Sequence, residues 1–266
     1  MGSIYEPMAM TGQHEGFGSQ SLAQDQSYPN PPITEAVLEF RFAEPVSKRA
    51  LTRLSKQIGR SYSTVQPQKE VQFQVNVKTR ETEYKSEVDV FRHTSEDQAD
   101  IFIARPDMLI WSRLAPYEGW NSFMERVHAQ LVTVLELLKA RKFSRIGMRY
   151  INRIDVPPDK KADILRYEDY LSINIMLPQE LDPLDSYYWR IERQFRDLGL
   201  GAMMQSATLV PEIPGMGSFL LDIDVFTSAA VPVKIDEIFT RLDEMRTLKN
   251  ALFERAITRM ARDSFR

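Results

Sequence analysis

Ala36, Leu38, Phe40 and Phe42 alternate with Glu35, Val37, Glu39 and Arg41, a period of two that predicts a strand with one buried face, opening after Pro31-Pro32 and closing at Pro45. Val46, Leu51, Leu54 and Ile58 then fall near helical spacing and predict a short helix. Alternation returns at Val71, Phe73, Val75 and Val77, and strand-like runs follow over 84–92 and 99–111, giving three or four antiparallel strands. A helix is predicted over 122–140, opened by the capping-box pattern Ser122-x-x-Glu125 and carrying Phe123, Val127, Leu131, Val134, Leu135 and Leu138 on one face. The basic turn Lys139, Arg141 and Lys142 complements the negative end of its dipole. Strand patterns restart over 146–155 and recur at 171–177, 187–195, 202–210 and 219–226. After Pro232, Ile235, Ile238, Leu242, Met245, Leu248, Leu252, Ala256 and Met260 recur every three or four residues, which predicts one helix of about 28 residues and about 42 Å.

This order predicts an α+β protein in which antiparallel sheets pack on two long helices. Two pseudo-equivalent sheet-on-helix halves, 31–142 and 143–266, are the simplest layer solution, and a single continuous sheet is the rival. Residues 1–30 contain no Lys or Arg and are rich in Gly, Ser and Gln, the composition of a disordered N-terminal tail. They show neither a secretory nor a mitochondrial targeting pattern, and no apolar run approaches the ~20 residues that cross a bilayer, so a cytoplasmic protein without a membrane partner is expected.

Composition narrows the chemistry. The 266 residues include no Cys, which excludes disulfides, thiolate nucleophiles and Cys-ligated metals. Lys plus Arg number 34 against 37 Asp plus Glu, so the basic excess of a nucleic-acid binder is missing and only a local basic face could serve one. His14, His93 and His128 are scattered, and His128, one position off an apolar stripe, reads as a partly buried structural histidine. HExxH, GxxxxGK[ST], GxGxxG and GxSxG are all missing, so no cofactor or metal is expected.

Two polar constellations remain. In the strand over 146–155 and its approach, Arg145, Arg149 and Arg153 share one face at i, i+4 and i+8, about 13 Å per step, while Tyr150 and Asn152 share the other. Glu35 and Glu39 have the same spacing on the first strand. If the two strands are neighbours, Glu and Arg pair across the sheet as a structural ladder. If they are not, the Arg row is open to an anion. The ladder is the preferred reading. Asp222 and Asp224 likewise share one face of their strand and could hold Mg²⁺ or act as acid and base, but a solvated face opposite basic neighbours such as Arg190 or Arg193 is preferred.

Pro31-Pro32-Ile33-x-Glu35-Ala36-Val37, Pro116-Tyr117-x-x-Trp120-x-x-Phe123 and Arg149-Tyr150-Ile151-Asn152-Arg153-Ile154 resemble a sporadically distributed bacterial protein family of about this length, whose members also end in a helix like that over 248–265 with a Phe near Phe253. The resemblance covers most of the chain after the tail, and makes Pro32, Ala36, Tyr117, Trp120 and Phe253 family-like structural positions. It implies a bacterial cytoplasmic protein with no agreed activity and, by analogy, an accessory role such as defence or toxin neutralisation. The expected function is therefore a binding or interaction module, with a protein partner or a second copy first and a small anion next. The alternatives are an enzyme acting on a phosphorylated or nucleotide-like substrate through the Arg row and Asp pair, and a nucleic-acid binder through the Arg row.

Overall fold

The computed structural model describes residues 28–76, 81–138, 142–157, 166–173, 178, 180 and 185–266. In chain order these form β1 (Ile33–Phe42), α1 (Lys48–Ile58), β2 (Thr64–Asn76), β3 (Glu81–Thr94), β4 (Asp100–Ala104), β5 (Met108–Leu114), α2 (Trp120–Leu137) and β6 (Phe143–Val156). Then come β7 (Tyr188–Phe195), β8 (Leu200–Leu209), β9 (Gly217–Thr227), α3 (Ile235–Ala256) and α4 (Arg259–Ser264). The protein is α+β, and its nine strands make one antiparallel sheet in the order β2-β3-β4-β5-β1-β6-β9-β8-β7.

The preferred split into separate sheets gives way to the rival. β1 pairs with β5 on one side and with β6 on the other, where Val37 faces Arg149 and Leu38 faces Met148. β1 and β6 are each apolar on one face, and joining the two meanders through them satisfies backbone N–H and C=O rows that separate sheets would leave open. Residues 31–142 and 143–266 therefore contribute to one core. Leu38 and Phe40 of β1, Met148 of β6 and Ile223 of β9 pack with Leu131 of α2 and with Leu242 and Met245 of α3, all fully buried. The opposite face of the central strands carries the charged residues.

Several boundaries differ from the sequence expectation. α2 starts at Trp120 after Gly119, whose φ of +102° turns the chain into the helix early. Ser122 is then inside the first turn and does not cap; its Oγ donates to Glu118 (3.0 Å) and accepts from Arg126 (2.9 Å). The expected basic turn at Lys139 and Arg141 lies outside the described residues, as does Val77. The run over 99–111 is two strands, β4 and β5, joined by a tight turn in which the Arg105 N–H donates to Met108 O (2.9 Å).

The last helix is shorter than its apolar stripe. It stops at Ala256 because Ile257 turns extended (φ −108°, ψ 148°) and pairs with Leu171, while the Thr258 N–H donates to Tyr170 O (2.9 Å). Thr258 then caps α4 through Ala261 N–H (3.3 Å). The strand expected over 171–177 is this single bridge, with 174–177 outside the described residues.

The expected tail over 1–30 falls outside the described residues up to 27, but Tyr28 is an anchor. Its ring meets Phe265 and Phe253 edge-on at 5.4 and 6.4 Å, and Asn30 N–H donates to Phe265 O (3.0 Å). His128 is exposed on α2, not partly buried, with its ring against Phe239 of α3 at 4.7 Å. His93 is the buried histidine, held between Ser55 (Oγ 2.9 Å) and Phe102 O (3.2 Å). Among the described residues no helix is long and apolar enough to cross a membrane.

Candidate functional site

β6 sits at the middle of the sheet, so its two faces belong to two different places. The residues singled out along it divide accordingly.

On the open face the Arg row and the Asp pair are one network. Arg145 is shared between Glu39 of β1 (2.6 Å) and Asp224 of β9 (2.6 Å), and its guanidinium stacks over Phe226 at 4.7 Å. Arg149 forks onto Asp222, Nε to Oδ1 at 2.9 Å and Nη2 to Oδ2 at 2.5 Å, and the Gln205 amide donates to the same carboxylate (2.6 Å). Arg153 binds Asp155 (3.0 Å), Ser218 (3.1 Å) and Val210 O (3.2 Å). Glu35 lies half-buried on the same face and adds negative charge beside Arg149. The expected Glu–Arg ladder forms at one rung, Glu39 to Arg145; Arg149 turns instead to Asp222 on β9, and Arg153 pairs with Asp155 of its own strand.

The Asp pair is not the solvated face expected, since Asp222 is fully buried and Asp224 mostly so, and the neighbours expected for it, Arg190 and Arg193, lie on β7, two strands away from β9. Arg149 and Arg145 take their place because β6 is the strand that pairs with β9. Hydrogen bonding to Asp222 raises the pKa of Arg149. Burial outweighs the Arg145 contact at Asp224 and lifts its carboxyl to about 6, since that guanidinium is shared with Glu39. Among the described residues no group of three or more His, Asp and Glu is placed to hold a metal ion.

On the helix-covered face Tyr150 and Asn152 look into a pocket of about 350 Å³, the size range of small-ligand sites. Its walls are the chain entering β1 (Tyr28, Pro31, Pro32, Ile33), the start of α2 (Tyr117 to Trp120) and one stripe of α3 (Arg246, Lys249, Asn250, Phe253). Tyr117 and Tyr150 join hydroxyl to hydroxyl at 2.7 Å with their rings edge-on. Asn152, 2% exposed, donates its amide to Leu221 O (2.9 Å) on β9. That bond fixes the side chain that the sequence left as an amide amid an apolar face. Lys249 Nζ lies 3.9 Å from the centre of the Tyr150 ring, and the Arg246 guanidinium 5.4 Å from that of Trp120, whose indole N–H donates to Asp243 (3.3 Å).

Of the five family-like positions, Pro32, Tyr117, Trp120 and Phe253 line this pocket, and Ala36 is fully buried under it in β1. Sequence reasoning missed Arg246, Lys249 and Asn250. A signal existed: with Phe253 they recur at i, i+3, i+4 and i+7, a polar stripe parallel to the apolar one of α3. No family model matches the chain, and no curated protein matches it. Geometry therefore carries the functional reading.

Proposed function

We propose that this protein is a binding module whose recognition site is the pocket between β1, β6, α2 and α3, and that it serves, as the family resemblance implies, as an accessory component of the bacterial cytoplasm. One observation carries the reading: the three stretches on which that resemblance rests, separated by some eighty and thirty residues, meet with one stripe of α3 around a single cavity. A wall in which Tyr117 and Tyr150 fix each other and Asn152 is tied to β9 is pre-formed, as binding pockets usually are. On the open face, Arg145 and Arg149 are committed to carboxylates, so the enzyme and nucleic-acid readings draw less support from the Arg row.

We also read 31–142 and 143–266 as pseudo-equivalent halves. In support, each begins with a central strand (β1, β6), ends its meander on that strand (β5, β9) and closes with a long helix (α2, α3). The pocket then sits where the halves meet, a common place for ligand sites.

The test is ligand-observed NMR of the full chain against a fragment library, repeated on Asn250→Trp, which fills the pocket, and on Arg153→Gln on the open face. Hits lost from the first variant and kept by the second support the reading. Hits lost only from the second, or a library without hits, overturn it.

A further inference from the structure

We infer that the protein forms a symmetric dimer through the free edge of its sheet, β7 pairing antiparallel with β7 of a second copy and Arg190 facing Glu192 across the join. This stands apart from the pocket. Among the described residues β7 pairs only with β8, so its outer side offers unmade backbone hydrogen bonds to another strand. The two edges of the sheet differ in this respect. β2 carries Pro67 and a register shift between Gln72 and Phe73, features that spoil an edge as a template. β7 pairs evenly over all eight residues without Pro, Gly or bulge, and Tyr188, Arg190, Ile191, Glu192, Arg193 and Gln194 are exposed.

Backbone geometry limits the registers. Tyr187 O accepts from the Thr208 N–H (3.1 Å), with Tyr188 facing Ala207. The odd-numbered residues of β7 therefore turn their N–H and C=O to β8, and the even-numbered ones, Tyr188, Arg190, Glu192 and Gln194, turn theirs outward. A second β7 must meet this one with even residues opposite even residues. One such register sets Arg190 against Arg190 and another sets Glu192 against Glu192, like charges directly opposed, which is destabilising. The register between them, centred on Ile191, sets Arg190 against Glu192 of the second copy and, by symmetry, Glu192 against its Arg190.

That register suits the side chains. Within their own strand Arg190 and Glu192 form an exposed pair at 3.5 Å, worth little in water. Facing their counterparts they become a cluster of four alternating charges. On the other face Ile191, 54% exposed although apolar and in mid-strand, meets Ile191 of the second copy on the two-fold axis, at a non-hydrogen-bonded position where side chains come closest. Charged residues commonly guard a sheet edge against pairing; here their order selects one partner, a second copy, at one register. Directly opposed residues share one face of a sheet, so the helix layers of both copies fall on the same side and the two sheets run on as one.

Sedimentation equilibrium of the full chain from about 1 μM to about 500 μM tests this, because one pair of eight-residue strands is a small interface and a dissociation constant on the order of 10–100 μM is expected. Arg190→Glu and Glu192→Arg each place like charges opposite one another and should raise that constant by about tenfold or more, leaving the melting temperature of the dilute protein in place. Mixed in equal amounts, the two variants should regain the wild-type constant, since both charged rungs of the mixed dimer again oppose Arg and Glu. Ile191→Lys, which sets two cations face to face on the axis, should weaken the dimer too and serves if a charge variant fails to fold. A wild-type chain that stays monomeric throughout overturns the proposal. So does a dimer that these variants leave intact, or one that the two charge variants weaken and their mixture does not restore.

Discussion

Arg149 reaches across from β6 to β9 and forks onto Asp222, a carboxylate that is fully buried although the arginine itself is 42% exposed. The asymmetry decides what each residue does. Asp222 needs a donor to be buried at all, and Arg149 together with Gln205 supplies it.

Removing the arginine should therefore cost more than removing the pair. Arg149→Met is expected to destabilise the protein by about 2 kcal/mol, less than a wholly buried pair would cost because the arginine is partly in water. Arg149→Met combined with Asp222→Leu should cost less than Arg149→Met alone. Urea unfolding of the single and double variants reads this, and simple additivity would show that the pair is not coupled.

Asp224 gives the sheet a pH dependence. The folded chain holds its proton up to about pH 6, whereas the unfolded chain releases it near 4. Between those values the folded state binds more protons, so this group's contribution, fully present at low pH, is lost as pH rises through the window. Asp224→Asn should remove that slope, and its stability relative to wild type should rise by on the order of 2 kcal/mol from pH 4 to pH 7. His93, whose pKa burial lowers, works in the opposite sense below its ordinary 6.5, and cancels when the two proteins are compared at each pH. A difference that stays flat across the window would contradict the assignment.

Gly147 makes room for Arg145. A Cβ at this buried position would overlap the Arg145 guanidinium, which must then leave Glu39 or Asp224. Gly147→Ala should cost about 1–2 kcal/mol, and much less in an Arg145→Met background, where nothing remains to be displaced. Equal costs in both backgrounds would place the strain elsewhere.

Tyr28 closes one wall of the pocket and ties the start of the described chain to its end. Tyr28→Ala should cost about 1–2 kcal/mol from the lost ring packing on Phe253 and Phe265, while Tyr28→Phe keeps the ring and should lose about 1 kcal/mol or less with the hydroxyl's polar contacts, the Glu254 hydrogen bond among them. Thermal unfolding of both variants distinguishes an anchored residue, with the graded loss, from an unanchored one, with none.

How far the sequence reached can be followed along β6. Alternation placed Arg145, Arg149 and Arg153 on one face and Tyr150 and Asn152 on the other, and the structure keeps that division. It could not say that Asp222 and Asp224 would meet those arginines, because a period of two reports which way a side chain points and nothing about which strand lies beside it. The helix ends failed for a related reason. The apolar stripe of α3 continues through Met260, but the backbone at Ile257 has a better partner in Leu171, more than eighty residues away.

The pocket marks the same boundary most plainly. Local sequence determined that the protein would be α+β, where most strands and helices lie and which side of each is buried, since those follow from periodicities of two and 3.6 that short-range geometry imposes. Only the tertiary structure decided that the nine described strands form one sheet, that Arg145 and Arg149 bridge to carboxylates of the neighbouring strands and that Pro32, Tyr117, Tyr150 and Lys249 share a cavity. Strand order and helix placement are settled by closing one core over many residues at once, and no single stretch of chain carries that information.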